Sequence, residues 1–286
     1  MKSDKNDPLL AEQIRSLALQ QIDLAREQLT NSNRQVDEAV HETRRSLKRL
    51  RAILRLVKRE VGEPVYDRDN NYFRNLGRQL SELRDTTVIR QTLGGLQKQF
   101  PQTLAADTWR IIKKDLVGSR RIQSHKKLKA TVATKLKIAR VRVGSWPIEF
   151  NQHTELQKAI QRTYRKGRSA MRLTLKEPQS ENFHEWRKQV NHLRHQLLIL
   201  RELKIGFVMK TLPEVRRLAQ TLGLVNDLAV LSRSTQSLKL THSEAEIQRL
   251  EQIIQSYQAV YQTEAIGLGK RLYRLAPKTF TAQIRF

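Results

Sequence analysis

Cysteine is absent from the 286 residues, which removes disulfides, thiolate nucleophiles and Cys-based zinc sites together. A reducing cytoplasm suits such a chain. Glycine (11) and proline (7) are scarce, and alternating β-branched runs are nearly missing, so little in the chain favours sheets and tight turns. Aromatic residues make up only 6%, too few to interleave with the cations as a base-stacking platform. No long apolar run occurs; the stretch at 197–200 is typical, which argues against a signal peptide or a membrane span and for a soluble protein. Acids are also in short supply. Asp and Glu total 28 against 54 Lys and Arg, leaving a formal net charge of +26. That imbalance repels itself unless a polyanion is close, and it runs along the whole chain instead of forming one basic tail.

What remains is helical. Apolar residues recur at spacings of three and four, and the 38% hydrophobic content is enough for a packed core. The first helix is expected at 9–30, with Leu10, Ile14, Leu17, Ile22, Leu24 and Leu29 as its apolar positions. A second should span 35–61 and stop at Gly62 and Pro64, and a third should begin near Tyr66 and fade at Gly94 and Gly95. Beyond Pro101 the spacing predicts one long or two shorter helices, with Trp109, Ile112, Leu116, Leu128, Val132 and Leu136 inward and a break at Gly118. The Gly144-Ser145-Trp146-Pro147 stretch divides the chain into 1–146 and 147–286, and four further helices are expected at 154–175, 182–203, 209–231 and 243–275.

The two parts resemble each other. His41 heads the segment His-Glu-Thr-Arg-Arg-Ser-Leu-Lys-Arg-Leu-Arg, and half a chain length later His184 heads His-Glu-Trp-Arg-Lys-Gln-Val-Asn-His-Leu-Arg. Leu76, Leu80, Leu83 and Asp85 are answered by Leu218, Leu222, Val225 and Asp227 at nearly the same offset. Shared polar residues favour an internal duplication, since apolar spacing alone is common to amphipathic helices.

In the second helix Val40, Thr43, Leu47, Leu50, Leu54 and Val57 form an apolar stripe, and His41, Arg44, Lys48, Arg51 and Arg55 form a basic one a residue later. The basic line lies roughly 120° round the helix and runs about 21 Å at 1.5 Å per residue. A linear chain of phosphates fits that shape better than a compact ligand does. His184, Arg187 and Arg194 repeat the stripe, with Asn191 in the place of Lys48. The preceding helix adds Arg162, Arg165 and Arg168 around Tyr164-Arg165-Lys166-Gly167-Arg168, in which Gly167 either permits close approach of a helix or ligand or is simply tolerated. Arg49 neighbours the stripe, and Arg74 and Arg78 form a further i, i+4 pair that Arg216 and Arg217 answer in part. Arg45 and Lys188 point away from the apolar stripe.

With these motifs in hand, the chain resembles the CHAD family of histidine-containing helical domains. The resemblance rests on His41-x-x-Arg44-x-x-x-Lys48-Arg49-Leu50-Arg51, its partner from His184 to Arg194, the string at 164–168 and the segment from Leu76-Gly77 to Arg84-Asp85, and spans about residues 9–276. It implies two pseudo-symmetric four-helix bundles, a basic groove or pore between them, and inorganic polyphosphate as ligand. Asn191 and His192 stand where the family has a Lys/Arg pair, and Asn226 replaces the Arg that precedes Asp85 in the first half, so the halves need not contribute equally.

Two roles suit His41 and His184: donation to phosphate, more strongly when protonated, or a structural bond to a neighbouring helix. Asp85 and Asp227 either orient an Arg or His or form ordinary surface pairs. Catalysis is not expected, and neither is a metal or cofactor. His41-Glu42 and His184-Glu185 begin like the zincin string, but Arg45 and Lys188 occupy the second histidine position, and His192 with His195 lacks a carboxylate cluster beside it. No Walker string is present. Nucleic acid is the main rival partner, because phosphate attraction is blind to its source, yet zinc-finger, RRM and KH strings are missing. An adaptor on cytoplasmic polyphosphate granules is a third expectation.

Overall fold

A computed structural model describes residues 8–117, 123–149, 154–205, 208–235, 238 and 243–284; within these, the side chains of 8, 82–86, 117, 123–126 and 208–210 are left aside. Among the described residues the chain is all-α, with the helices α1 (Pro8–Thr30), α2 (Val36–Leu56), α3 (Lys58–Val61), α4 (Glu63–Gln79), α5 (Glu82–Gln99), α6 (Ala106–Val117), α7 (Gln123–Gly144), α8 (Thr154–Lys176), α9 (Ser180–Glu202), α10 (Val208–Thr235), α11 (Glu244–Leu272) and α12 (Pro277–Ala282). None of them is long and apolar enough to cross a membrane. The break expected at Gly118 and the connection at Gly206 lie outside the described residues.

The apolar stripe of α2 is buried throughout: Val40, Thr43, Leu47, Leu50, Leu54 and Val57 are each at most 1% exposed. In α1 the inward line differs from the expected one. Ala11, Ile14, Ala18, Ile22, Ala25 and Leu29 are buried, while Leu24 is 39% exposed. The alanines let the helix axes approach closely, so the packing line follows small residues and leaves the leucine outside.

Breaks also fall where the spacing did not place them. The second helix is interrupted at Val57 before Gly62, whose φ of 78° ends α3 in the left-handed region and leads into Pro64 in the first turn of α4. The expected third helix is two, parted at Leu80 and Ser81, and Gly94 and Gly95 lie inside α5. On the other side α10 runs unbroken for 28 residues with Pro213 near its start, and α11 for 29, about 42 Å each at 1.5 Å per residue. Ser243 caps α11, its hydroxyl accepting from the backbone N–H of Glu246 and donating to that residue's carboxylate at 3.0 Å.

Two hydrophobic clusters hold these elements. The larger draws on α1, α2, α4, α7, α8 and α9, the first part of α10, the end of α11 and α12, and includes Trp146 and Ile148 from the segment between α7 and α8. Trp146 donates its indole N–H to the fully buried Asp69 at 2.8 Å, and Arg142 lies 3.2 Å from the same carboxylate. The smaller joins α5 and α6 to the end of α10 and the start of α11 through Leu93, Trp109, Ile112, Leu231 and Leu250. Both clusters therefore contain residues from each side of Trp146. Within this frame α2 packs against α9 and α5 against α10, which sets the walls of the site.

Candidate functional site

Where α2, α5, α9 and α10 converge they enclose a cavity of about 660 Å³. Arg44, Arg45, Lys48 and Arg49 reach it from α2, Arg187, Arg194 and Arg201 from α9, and Arg216 from α10. Against these eight cations stand two acids, Glu202 and Asp227, and the lining contains no Phe, Tyr or Trp. Ligand cavities of this size are ordinarily apolar with a few polar groups. Here the proportions are reversed.

The charges crowd one another. Lys48 opens to the solvent of the cavity yet is walled in, and desolvation, followed by Arg44, Arg187 and Arg194, pulls its ammonium down to about 8, with Asp227 opposing. Desolvation and the neighbours Arg45, Arg216 and Arg187 likewise lower Arg194. Positive groups that depress each other in this way are relieved by an anion, so the arrangement is poised to bind one.

Several of these cations also hold the fold. Arg44 donates to the Gly77 carbonyl and the Ser81 hydroxyl, closing the C-terminal end of α4 where its carbonyls lack helical partners. Arg49 is paired with Glu202, which ties α2 to the end of α9. His41 stands 3.7 Å from Glu42, a group shared with Arg45 at 3.4 Å. His184 contacts Asn226 through Nδ1 at 2.8 Å, and the Asn226 amide donates to Asp227 at 3.2 Å. Asp227 thus acts on a histidine through an intervening amide. The Asp85 side chain lies outside the described residues.

The basic stripe of α2 does not serve a single cavity. His41, Arg44 and Lys48 face the large one. Arg51 turns to α4, its Nε donating to Asn70 at 3.0 Å; desolvation, then Arg55, Arg74 and Arg78, brings it down to about 10. Arg55 donates to the Arg51 carbonyl and lines a second cavity of about 250 Å³ with Lys58, Arg162, Lys166 and His192. Arg165 borders a shallow hollow beside Glu185, and Asn191 bonds its own helix at the Arg187 carbonyl. Arg168 is half-buried near Tyr164, where its charge opposes the upward push that burial gives the phenol.

Gly167 has a packing role. A Cβ there would lie 2.9 Å from Cζ of Tyr273. Tyr164 lies stacked on Phe280 of α12 and donates to the carbonyls of Leu272 and Leu275 at 2.8 and 3.1 Å. The Tyr-Arg-Lys-Gly-Arg string therefore anchors the C-terminal turn of the chain as well as displaying cations.

The structure also corrects the reading of Arg45. Its side chain is 64% exposed, as an outward position implies, but it borders the large cavity. Arg201, Arg216 and His195 line the cavity too and were not singled out as site residues. Arg201 had a legible signal: Arg187, Arg194 and Arg201 are spaced by sevens on one face of α9. His192 and His195, one turn apart, open onto different cavities. Among the described residues no three His, Asp or Glu side chains gather as a metal site.

Comparison with known proteins adds a family. The profile of the CHAD domain matches residues 13–272. The fold is similar to the crystal structure of the CHAD domain from the plant Ricinus communis, with a TM-score of 0.65, 17% identity, and coverage of 93% of this chain and 92% of that one. No curated protein matches in sequence.

Proposed function

Since this chain belongs to the CHAD domain family, we propose that its large basic cavity binds inorganic polyphosphate, without catalysis and without a metal or cofactor. The observation that carries this reading is the lining itself, eight Lys and Arg side chains with no aromatic ring on which a base could stack. Phosphate oxygens accept from such donors repeatedly along a chain, whereas a nucleobase would find no platform. In the same reading 1–146 and 147–286 are two repeats, each a helical bundle. On this reading α2 and α9, which pack against each other, are the equivalent helices, and the cavity is the groove between the repeats.

A competition assay tests the assignment. Labelled long-chain polyphosphate is displaced in turn by unlabelled polyphosphate, duplex DNA, RNA and ATP at one stated salt concentration. The expected order places polyphosphate first by at least tenfold per phosphate. Equal displacement by RNA would return the protein to general polyanion binding, and phosphate release on adding magnesium would overturn the non-catalytic assignment. Association with polyphosphate granules in the cell belongs to the same proposal and is checked by co-sedimentation.

A further inference from the structure

His195 is the one histidine in the large cavity that is shut away from solvent, at 3% exposed, and both of its ring nitrogens lack a hydrogen-bond partner among the described residues. A buried imidazole without a partner is costly, because one nitrogen must donate and the other accept. A group left unsatisfied beneath a charged cavity is a candidate for the ligand's own contact.

The charges around it come from several elements. Arg45, Lys48 and Arg49 of α2 and Arg194 of α9 act on the ring directly, and His192 lies one turn away. His41 and Arg44 of α2, Arg187, Arg201 and Glu202 of α9, and Arg216 and Asp227 of α10 line the same cavity. On the other side of α9, Arg162, Arg165 and Lys166 of α8 face separate hollows. Burial and these cations hold the ring neutral, drawing it down to about 3. Burial is the larger cause and is relieved only when the ring reaches the cavity; a bound polyanion offsets the rest, because its oxygens neutralise the same cations and accept an N–H from the ring.

Resting on the polyphosphate reading, we propose that His195 is a proton-linked contact of the bound chain: the ring turns outward to the cavity floor, where a phosphate accepts a hydrogen bond from it, and it takes up one proton from solvent as the complex forms. By linkage, affinity then rises on acidification by up to tenfold per pH unit for the one proton, over the interval between the free and bound ionisations.

The test uses the full chain and long-chain polyphosphate, whose few terminal groups contribute little proton exchange. Calorimetric titration near pH 5.5 in two buffers of different ionisation enthalpy gives the protons taken up per site. Wild type is expected to take up more than His195→Gln by a substantial fraction of one proton. Nitrogen NMR of the wild-type imidazole, free and bound, supplies the same answer if the variant does not fold: neutral in the free protein, protonated in the complex. Tight binding at pH 8 together with a His195 ring that stays neutral in the complex overturns this inference alone. Failure of wild type to bind at pH 8, where the arginines remain charged, overturns the polyphosphate reading itself.

Discussion

His184 Nδ1 lies 2.8 Å from Asn226 Oδ1, and the direction of that bond is determined by the next one along the chain. The Asn226 amide nitrogen donates to Asp227 at 3.2 Å, so its oxygen faces the ring and can only accept. Nδ1 therefore carries the hydrogen, and a neutral His184 presents a lone pair at Nε2. A phosphate facing that nitrogen needs the charged ring.

Removing this orientation should weaken the site without emptying it. Asn226→Leu deletes the acceptor and is expected to lower polyphosphate affinity by about two- to tenfold, the scale of one net hydrogen bond of about 0.5–1.5 kcal/mol. Titration at constant salt reads the change, and circular dichroism checks that the variant is folded. An unchanged affinity would assign His184 a structural role only.

A shaped site and diffuse charge can be separated at equal charge. Lys48→Ala with Arg194→Ala removes two cavity cations, while Lys188→Ala with Arg110→Ala removes two that are 50% and 77% exposed and outside it. The first pair should lose roughly 100-fold or more in affinity, at about 1.5–3 kcal/mol for each charged hydrogen bond, and the second only a few-fold. Arg45 makes a poor control because it borders the cavity. Equal losses would mean that the ligand senses overall charge.

Length and salt should report the same geometry. Arg44 and Arg55 lie about 16 Å apart along α2, on two different cavities, so a chain that reaches both should outbind tripolyphosphate. The logarithm of affinity should fall with the logarithm of salt at roughly −0.7 per phosphate neutralised, giving a slope of about −5 for the large cavity, and Lys48→Met should make it shallower by about 0.7. A slope near zero would contradict ionic binding.

Acid should unfold the ligand-free protein early. Burial, then Arg55 and Arg51, draws His192 down to about 2, and burial with Arg194 and Lys48 draws His195 down to about 3. Unfolded, each titrates near 6.5, so below that pH the unfolded chain binds protons that the folded one refuses. Stability is complete above about 6.5 and falls toward 3, by up to about 1.4 kcal/mol per pH unit for each ring. Thermal melts from pH 7.5 to 4 should show this fall, reduced in His192→Gln.

Gly167→Ala should reverse the usual sign of such a change. Alanine ordinarily favours a helix by about 1 kcal/mol over glycine, but here its Cβ meets the buried Tyr273 ring. A net loss of about 1–3 kcal/mol is expected from overpacking, read as a lower Tm. A higher Tm would show that Tyr273 moves aside freely.

Much of this was legible residue by residue. The α2 stripe from Val40 to Val57 is buried as its spacing implies, because a heptad of large apolar side chains leaves one inward face. In α1 the spacing misleads at Leu24: the inward line runs through alanines, and how closely the axes approach depends on the partner helices α2 and α7. The spacing gives the basic stripe as one line. It is divided because α9 and α10 close over its first half, α4 over Arg51 and α8 over Arg55, and those neighbours are tertiary facts. Tyr273 opposite Gly167 was equally beyond local pattern.

The large cavity takes its lining from residues as far apart in the sequence as His41 and Val230. A chain leaving the ribosome therefore cannot capture its ligand at half length, since Arg187, Arg194 and Arg216 have yet to arrive. On the proposed reading, occupancy requires a chain made at least as far as Val230. A truncated or nicked protein, however well its remaining helices fold, would carry the positive charge without the enclosure, and would meet cellular polyanions as an indiscriminate cation.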